Sequence, residues 1–228
     1  MKIKILYEDS NILAIDKPSG ILVHPAPEQV RYGAGPDTKK TIQDIFLKKY
    51  PKLEIVHRLD KETSGVMLLA KNKKTHEFLK KQFANREVKK IYYTIVSGFV
   101  KNDHGVINKP IGRSPKDFRR HLAGRGARGE LREAITEYRV LKRFIEKKEK
   151  FTYLEIKPKT GRTHQIRVHM KYLNHPVVCD SLYNPDKPCP KGISRLALHA
   201  KSIEFNNLKG QIIKVESLLP LEFKKVVK

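Results

Sequence analysis

His57-Arg58-Leu59-Asp60-Lys61-Glu62-Thr63-Ser64-Gly65-Val66-Met67-Leu68-Leu69-Ala70-Lys71 is the stretch on which the reading of this chain turns. A charged cluster runs through Thr-Ser-Gly, a turn sequence, into Val66–Ala70, the longest unbroken apolar run of the chain. A short apolar run bounded by turn residues reads as a buried strand. His57 to Asp60 then lie at the rim of the core, in the loop that feeds its central strand. An aspartate in such a loop is ordinarily a turn-former or a cap; as a positioned carboxylate it could also do chemistry.

Working outward, Ile3–Asp9, Asn11–Gly20 and Ile21–Pro25 read as short strands, with Pro18-Ser19-Gly20 and Pro25-Ala26-Pro27 supplying turns. Thr41–Tyr50 carries Ile42, Ile45, Phe46 and Leu47 at helical spacing behind a Thr41 cap, and Pro51 stops it. A second helix is expected over Lys74–Arg86, with Phe78, Leu79 and Phe83 as its apolar stripe. Ile91–Val100, Ala134–Phe144 and Phe151–Ile156 read as strands, Thr163–Leu173 as a helix, and Leu196–Phe205 with Gln211–Leu218 as a closing strand pair. Strands outnumber helices without alternating with them, so the expected class is α+β, a mixed and mainly antiparallel sheet with flanking helices. No linker or repeat divides residues 1–228, and one domain is expected.

Composition narrows the function. The chain has 228 residues, 39% hydrophobic and 32% charged, which suits a globular protein. No apolar run approaches the roughly 20 residues that span a bilayer, and Glu8 and Asp9 interrupt the N-terminus before any signal-like stretch. Lysine and arginine number 48 against 24 acidic residues, a formal charge of +24. Such a surface attracts polyanions by counterion release, which favours nucleic acid; an acidic membrane would attract it too. Two cysteines, Cys179 and Cys189, make neither a disulfide framework nor a four-thiolate zinc site, and a reducing cytoplasm is expected. His164 and His169 lack a nearby Cys or carboxylate partner, so no metal is expected. No phosphate-loop or dinucleotide fingerprint is present, so no cofactor is implied.

Ile111–Arg132 gathers Gly112, Gly124, Gly126 and Gly129 with Arg113, Arg119, Arg120, Arg125, Arg128 and Arg132. Glycine lowers order and arginine grips phosphate bidentately, so the stretch reads as a mobile arm that settles on a phosphate backbone. A solvated surface loop is the plainer reading.

HRLDKETSGVMLLAK resembles the signature H-R-L-D-x-x-T-S-G-x-L-x-x-A-K of the RluA-type family of pseudouridine synthases, with Met67 where leucine is usual. NILAIDKPSGILVHP, KKIYYTIVSG, TGRTHQIRVHM and RLALHA agree in order, so the resemblance runs from about residue 3 to 220. It implies a catalytic fold with a basic cleft and isomerisation of uridine to pseudouridine in structured ribosomal or transfer RNA, with no cofactor. Asp60 takes the position of the family nucleophile, and a carboxylate is reactive at neutral pH without an activating base. Whether it attacks sugar or base stays open.

The resemblance further implies that Arg167 pairs with the catalytic carboxylate and that Tyr92, in K-x-Y, stacks on the flipped uracil. Arg58 would fill the gap left in the RNA by the extruded nucleotide. Arg113, Arg119, Arg120 and Arg162 are the remaining expected RNA contacts, and His57 and Thr63 are expected to shape the loop. No RNA-binding module is expected before Ile3, so grip is expected from the catalytic domain, acting as a monomer without an obligate protein partner. Departures from the pattern are Thr94 for alanine, Cys179 and Asn184 for two turn glycines around Asp180, and Asn206-Asn207-Leu208 for a histidine-proline pair. The rival readings are a non-catalytic RNA-binding or ribosome-assembly protein and a metal-assisted hydrolase, the latter lacking a second carboxylate in the motif.

Overall fold

The computed structural model describes residues 3–25 and 41–227. In chain order the described elements are β1 (Lys4–Glu8), β2 (Ile12–Lys17), α1 (Ile42–Leu47), β3 (Glu54–Ile55), β4 (Ser64–Ala70), α2 (Lys73–Ala84), β5 (Lys89–Ser97), β6 (His104–Asn108), β7 (Ile111–Arg113), β8 (His121–Ala123), β9 (Arg128–Arg132), β10 (Ile135–Glu146), β11 (Glu149–Pro158), α3 (Gln165–Tyr172), β12 (Leu198–Asn206), β13 (Ile212–Glu216) and α4 (Leu221–Val227). The class is α+β with mainly antiparallel strands. Two compact units emerge, Met1–Val88 with Ser202–Ser217, and Lys89–Lys201 with Leu218–Lys228.

In the first unit the apolar run becomes β4, buried at every position. It pairs antiparallel with β2, placing Asp16 opposite Val66 and Lys17 opposite Gly65. Ile12, Ala14, Val66 and Leu68 pack with Leu79 of α2 and with Ile203, Phe205 and Val215. α2 starts at Asn72, whose side chain accepts from the Thr75 amide at 2.9 Å, and Gln82 exchanges two 2.9 Å hydrogen bonds with the Asn206 backbone. α1 begins with the expected Thr41 cap, closed as a capping box with Asp44. Ile21–Pro25 is not the expected strand: the Leu22 and Val23 carbonyls accept from the Ile42 and Gln43 amides and so complete the start of α1. The Pro25-Ala26-Pro27 turn lies outside the described residues. At the altered connection after β12, Asn207 Oδ1 accepts from the Lys209 and Gln211 amides, a self-contained turn that needs no histidine-proline pair.

In the second unit β5, β11, β10 and β6 run side by side, each pair antiparallel. The β10–β11 hairpin turns at Lys147 and Lys148, both with positive φ, which matches the twist of the flanking strands. Its core gathers Ile95, Val96, Leu154, Ile156, Met170, Val177, Val178 and Phe223.

A further expectation is corrected. Ile111–Arg132 is not an unstructured arm: β8, β7 and β9 form a separate antiparallel sheet. Gly124, Gly126 and Gly129 all adopt positive φ: the first two make the connection from β8 to β9, and Gly129 sits inside β9 where its register with β7 is irregular. Ile111 anchors it against Ala134, Val168 and Tyr183. The two cysteines are bonded to one another, with Cα atoms 5.4 Å apart, so the 179–189 segment is closed by a bridge.

Candidate active site

Asp60 sits in a loop held from below by a single buried lysine. Lys17 ends β2 with no exposed surface, and its ammonium donates to the carbonyls of Lys61 at 2.9 Å, Thr63 at 2.8 Å and Pro18 at 3.0 Å. Three acceptors match the three donors of an ammonium, which is what allows so polar a group to be buried. The Gly20 amide also donates to the Lys61 carbonyl, and the Ser19 hydroxyl to the Glu62 carbonyl at 2.6 Å. The Lys-Pro-Ser-Gly turn thus clamps the backbone of residues 61–63, and the Thr63 amide closes the turn onto the Asp60 carbonyl at 3.1 Å. Gly65 continues it with φ 110, a conformation that side-chain-bearing residues avoid. Asp60 itself is half-buried.

His57 and Thr63 are structural, as the sequence suggests. Thr63 is buried, while His57 Nε2 accepts from the Leu68 amide at 3.0 Å and its ring stacks on Phe83 at 4.8 Å. Arg58 is exposed beside His24, and burial together with that guanidinium holds the His24 imidazole below its ordinary range.

In the second unit α3 carries Arg167. Gln165 anchors the start of the helix with every polar position of its amide engaged. Its oxygen accepts from the Thr160 hydroxyl at 2.7 Å and the Arg162 amide at 3.0 Å, and its nitrogen donates to the Ile135 carbonyl and Thr136 hydroxyl. His169, one turn on, bridges Thr136 and the Lys109 carbonyl, and burial lowers its proton affinity.

Arg167 meets Asp180 in a two-point buried pair, Nε to Oδ2 and a terminal nitrogen to Oδ1, both 2.7 Å. Asp180 also caps its own turn by accepting from the Leu182 and Tyr183 amides, and the Tyr183 ring lies 5.1 Å from the guanidinium. The two departures from glycine fall here. Cys179 keeps a left-handed φ of 56, the conformation that glycine adopts freely, and Asn184 ties the turn to Ser97 and the Val177 carbonyl by side-chain bonds.

Tyr92 lies on β5 opposite Ile156. Its neighbour Tyr93 meets Tyr153 edge-on at 5.5 Å, and strand alternation directs Tyr92 to the opposite face. Lys90, on the same strand, donates to the Thr160 carbonyl, and burial pulls its ammonium down to about 8. Arg113 and Arg162 line one cavity. Arg119 and Arg120 do not line it; both turn to Asp117, whose carboxyl the Arg119 hydrogen bonds draw down to about 2.

Sequence reasoning missed Lys17, Gln165 and the partner role of Asp180. The available signal was the Asp180 and Tyr183 retained between the two lost glycines, and the lysine in the K-P-S-G turn facing Gly65.

Comparison with known proteins identifies the family. The profile of the RNA pseudouridylate synthase family matches residues 11–172. An uncharacterised RNA pseudouridine synthase of Aquifex aeolicus is 45% identical over 185 residues, covering 79% of this chain and 56% of that protein. The ribosomal large subunit pseudouridine synthase D of Xanthomonas campestris is 37% identical over 242 residues, covering 99% of this chain and 68% of that one. The solved structure of human RNA pseudouridylate synthase domain containing 1 superposes with a TM-score of 0.78 at 25% identity, covering 96% of this chain and 84% of that chain. Shared fold, shared motifs and a match over most of its length make this chain a member of the RNA pseudouridylate synthase family.

Proposed function

We propose that this chain is an RNA pseudouridine synthase that isomerises specific uridines in structured RNA, with Asp60 as nucleophile. The observation that carries the reading is the clamp of Lys17, Ser19 and Gly20 on residues 61–63, which fixes the backbone beside Asp60 inside the matched family region. A carboxylate presented on a rigid turn is oriented before substrate arrives, and orientation is a large part of covalent catalysis.

The reaction breaks the N1–C1′ bond of uridine, turns the uracil and joins C5 to C1′, with the C5 proton leaving and N1 gaining one. Whether Asp60 adds to the ribose or the base, it must also depart, and a carboxylate is a competent leaving group. In this reading Arg167 orients the Asp60 carboxylate, Tyr92 stacks on the flipped uracil, and Arg58 occupies the vacated position in the RNA. Arg113, Arg119, Arg120 and Arg162 contact the phosphate backbone. The relative named for the large ribosomal subunit makes ribosomal RNA the first substrate to examine, with transfer RNA second. The setting is the cytoplasm and the acting form a monomer.

The test is pseudouridine mapping across total RNA from cells with and without the gene, rescued by wild type or by Asp60→Ala. A mark that only wild type restores is the expected result. Loss of RNA binding in step with loss of turnover in purified Asp60→Asn would count against a nucleophilic role and in favour of a pure RNA binder.

A further inference from the structure

We propose that the cavity between the small sheet and the loop before α3 seats the ribose–phosphate backbone of the RNA substrate, and that Arg128 and Arg132 contact it together with Arg113 and Arg162. The inference rests on the pseudouridine synthase reading and names the part of the RNA that this site holds.

The cavity measures about 510 Å³ and is lined by Arg113 of β7, His121 of β8, Arg128, Glu130 and Arg132 of β9, and Arg162. Arg128, Glu130 and Arg132 of β9 all reach this cavity across an irregularity in the β7–β9 register, where Gly129 takes a positive φ. The antiparallel register sets Arg113 directly opposite Arg128. Like charges facing each other across a ladder destabilise it, so this pairing suits a site whose occupant is an anion. Arg162 is fixed at the wall by a 2.9 Å bond from its Nε to the Glu133 carbonyl. Glu130 is the lone carboxylate among the lining residues and pairs with Arg132 at 3.0 Å.

Four guanidiniums against one carboxylate select an anion, and a lining whose one aromatic ring is the His121 imidazole, edge-on to His164, favours backbone over stacked base. The walls also need glycine at one point. A Cβ at Gly112 would lie 3.0 Å from the Ala127 Cβ and 3.1 Å from the Arg128 carbonyl, so the floor depends on a bare backbone there. The site is braced towards α3, since the Tyr183 hydroxyl accepts from the His121 amide at 2.9 Å and meets His164 Nδ1 at 3.0 Å. A backbone seated in the cavity is therefore registered against the same turn that holds Arg167.

The test measures binding of the full chain to in vitro transcribed, unmodified large-subunit ribosomal RNA across about 50 to 200 mM salt. Arg128→Gln/Arg132→Gln is expected to weaken binding at least tenfold and to flatten the salt slope by about 1.4, at roughly 0.7 per phosphate contact on a single strand. Arg139→Gln/Lys157→Gln removes the same charge from residues that do not line the cavity, and is expected to change the slope far less. Glu130→Gln is expected to tighten binding several-fold, a gain that misfolding cannot produce. Uridine 5′-monophosphate at equal phosphate concentration is expected not to displace the RNA; displacement would mean a mononucleotide site and overturn the proposal. Unchanged affinity and slope in Arg128→Gln/Arg132→Gln, while wild type binds and modifies RNA, would overturn the cavity assignment alone. Wild type that neither binds nor modifies RNA would overturn the synthase reading and this inference together.

Discussion

The Arg167 guanidinium and the Asp180 carboxylate meet at two points, each 2.7 Å long, and both side chains are almost wholly removed from solvent. The pair fastens α3 to the turn after Val178, and the same carboxylate ends that turn by accepting from Leu182 and Tyr183. A guanidinium engaged along one edge has a fixed plane, so its remaining donors point in a set direction. Asp180 is thus the residue that aims Arg167.

Asp180→Asn keeps the shape of the side chain and removes its charge. Breaking a buried pair by neutralising one partner costs about 3 kcal/mol or more, and the expected result is a loss of that order in chemical denaturation. Turnover should fall with it, while RNA binding, spread over many phosphate contacts, changes little. A variant of wild-type stability and wild-type turnover would remove Asp180 from this role.

Lys17→Met preserves the length of the chain and deletes all three bonds to the Pro18, Lys61 and Thr63 carbonyls. Hydrogen bonds from a charged donor contribute about 1.5–3 kcal/mol each, less what the carbonyls recover from water, so a net loss of about 3 kcal/mol is expected. The diagnostic comparison is kinetic: Lys17→Met should retain a reduced single-turnover rate because Asp60 survives on a loosened loop, whereas Asp60→Asn should retain none. Equal abolition in both would mean that Lys17 does more than hold the loop.

The central strand and the loop before it were legible because a fully buried strand leaves an apolar run and its entry turn leaves Thr-Ser-Gly. Lys17 was not legible, since nothing in a lysine distinguishes one that meets three carbonyls from the many that face water. The small sheet was hidden for a related reason: β9 is exposed along its whole length, so it has no alternation for the eye to find. Its glycines read as disorder, whereas Gly124 and Gly126 make the connection between strands and Gly112 and Gly129 sit inside them. The cysteine bridge depends on the path of the chain between Cys179 and Cys189, which spacing alone does not give. Tyr92 and Tyr93 were ambiguous in phase until Tyr153 claimed Tyr93.

Acid should destabilise the second unit through His199. Burial, then the nearby Arg195 and Lys201 charges, push this imidazole down to about 3, against an ordinary value near 6.5. A group whose folded proton affinity is lowered stabilises the fold fully above its unfolded pKa and loses that contribution as pH falls below it. Between pH 6.5 and about 5 the loss amounts to about 2 kcal/mol from this residue, and His24 and His169 act in the same direction. Unfolding free energies measured from pH 7 to 5 should decline, with a shallower slope in His199→Gln. An unchanged slope would assign the acid sensitivity elsewhere.

Gly112→Ala tests whether the small sheet is as rigid as its packing implies. The added methyl would come within 2.8 Å of a Leu131 methyl, 3.0 Å of the Ala127 Cβ and 3.1 Å of the Arg128 carbonyl. The exposed Leu131 side chain can swing aside, but Ala127 and the Arg128 carbonyl belong to the entry of β9 and move only if β7 and β9 separate. Overpacking of this kind costs about 1–3 kcal/mol. Because β7 to β9 form their own sheet, the cost should fall on that sheet first. Hydrogen exchange at residues 111–113 and 128–132 should quicken, while the β4 amides stay protected. Spreading β7 from β9 also widens the cavity between Arg113 and Arg128, so RNA affinity should drop in the same variant. Faster exchange with undiminished affinity would separate the order of the small sheet from its hold on RNA.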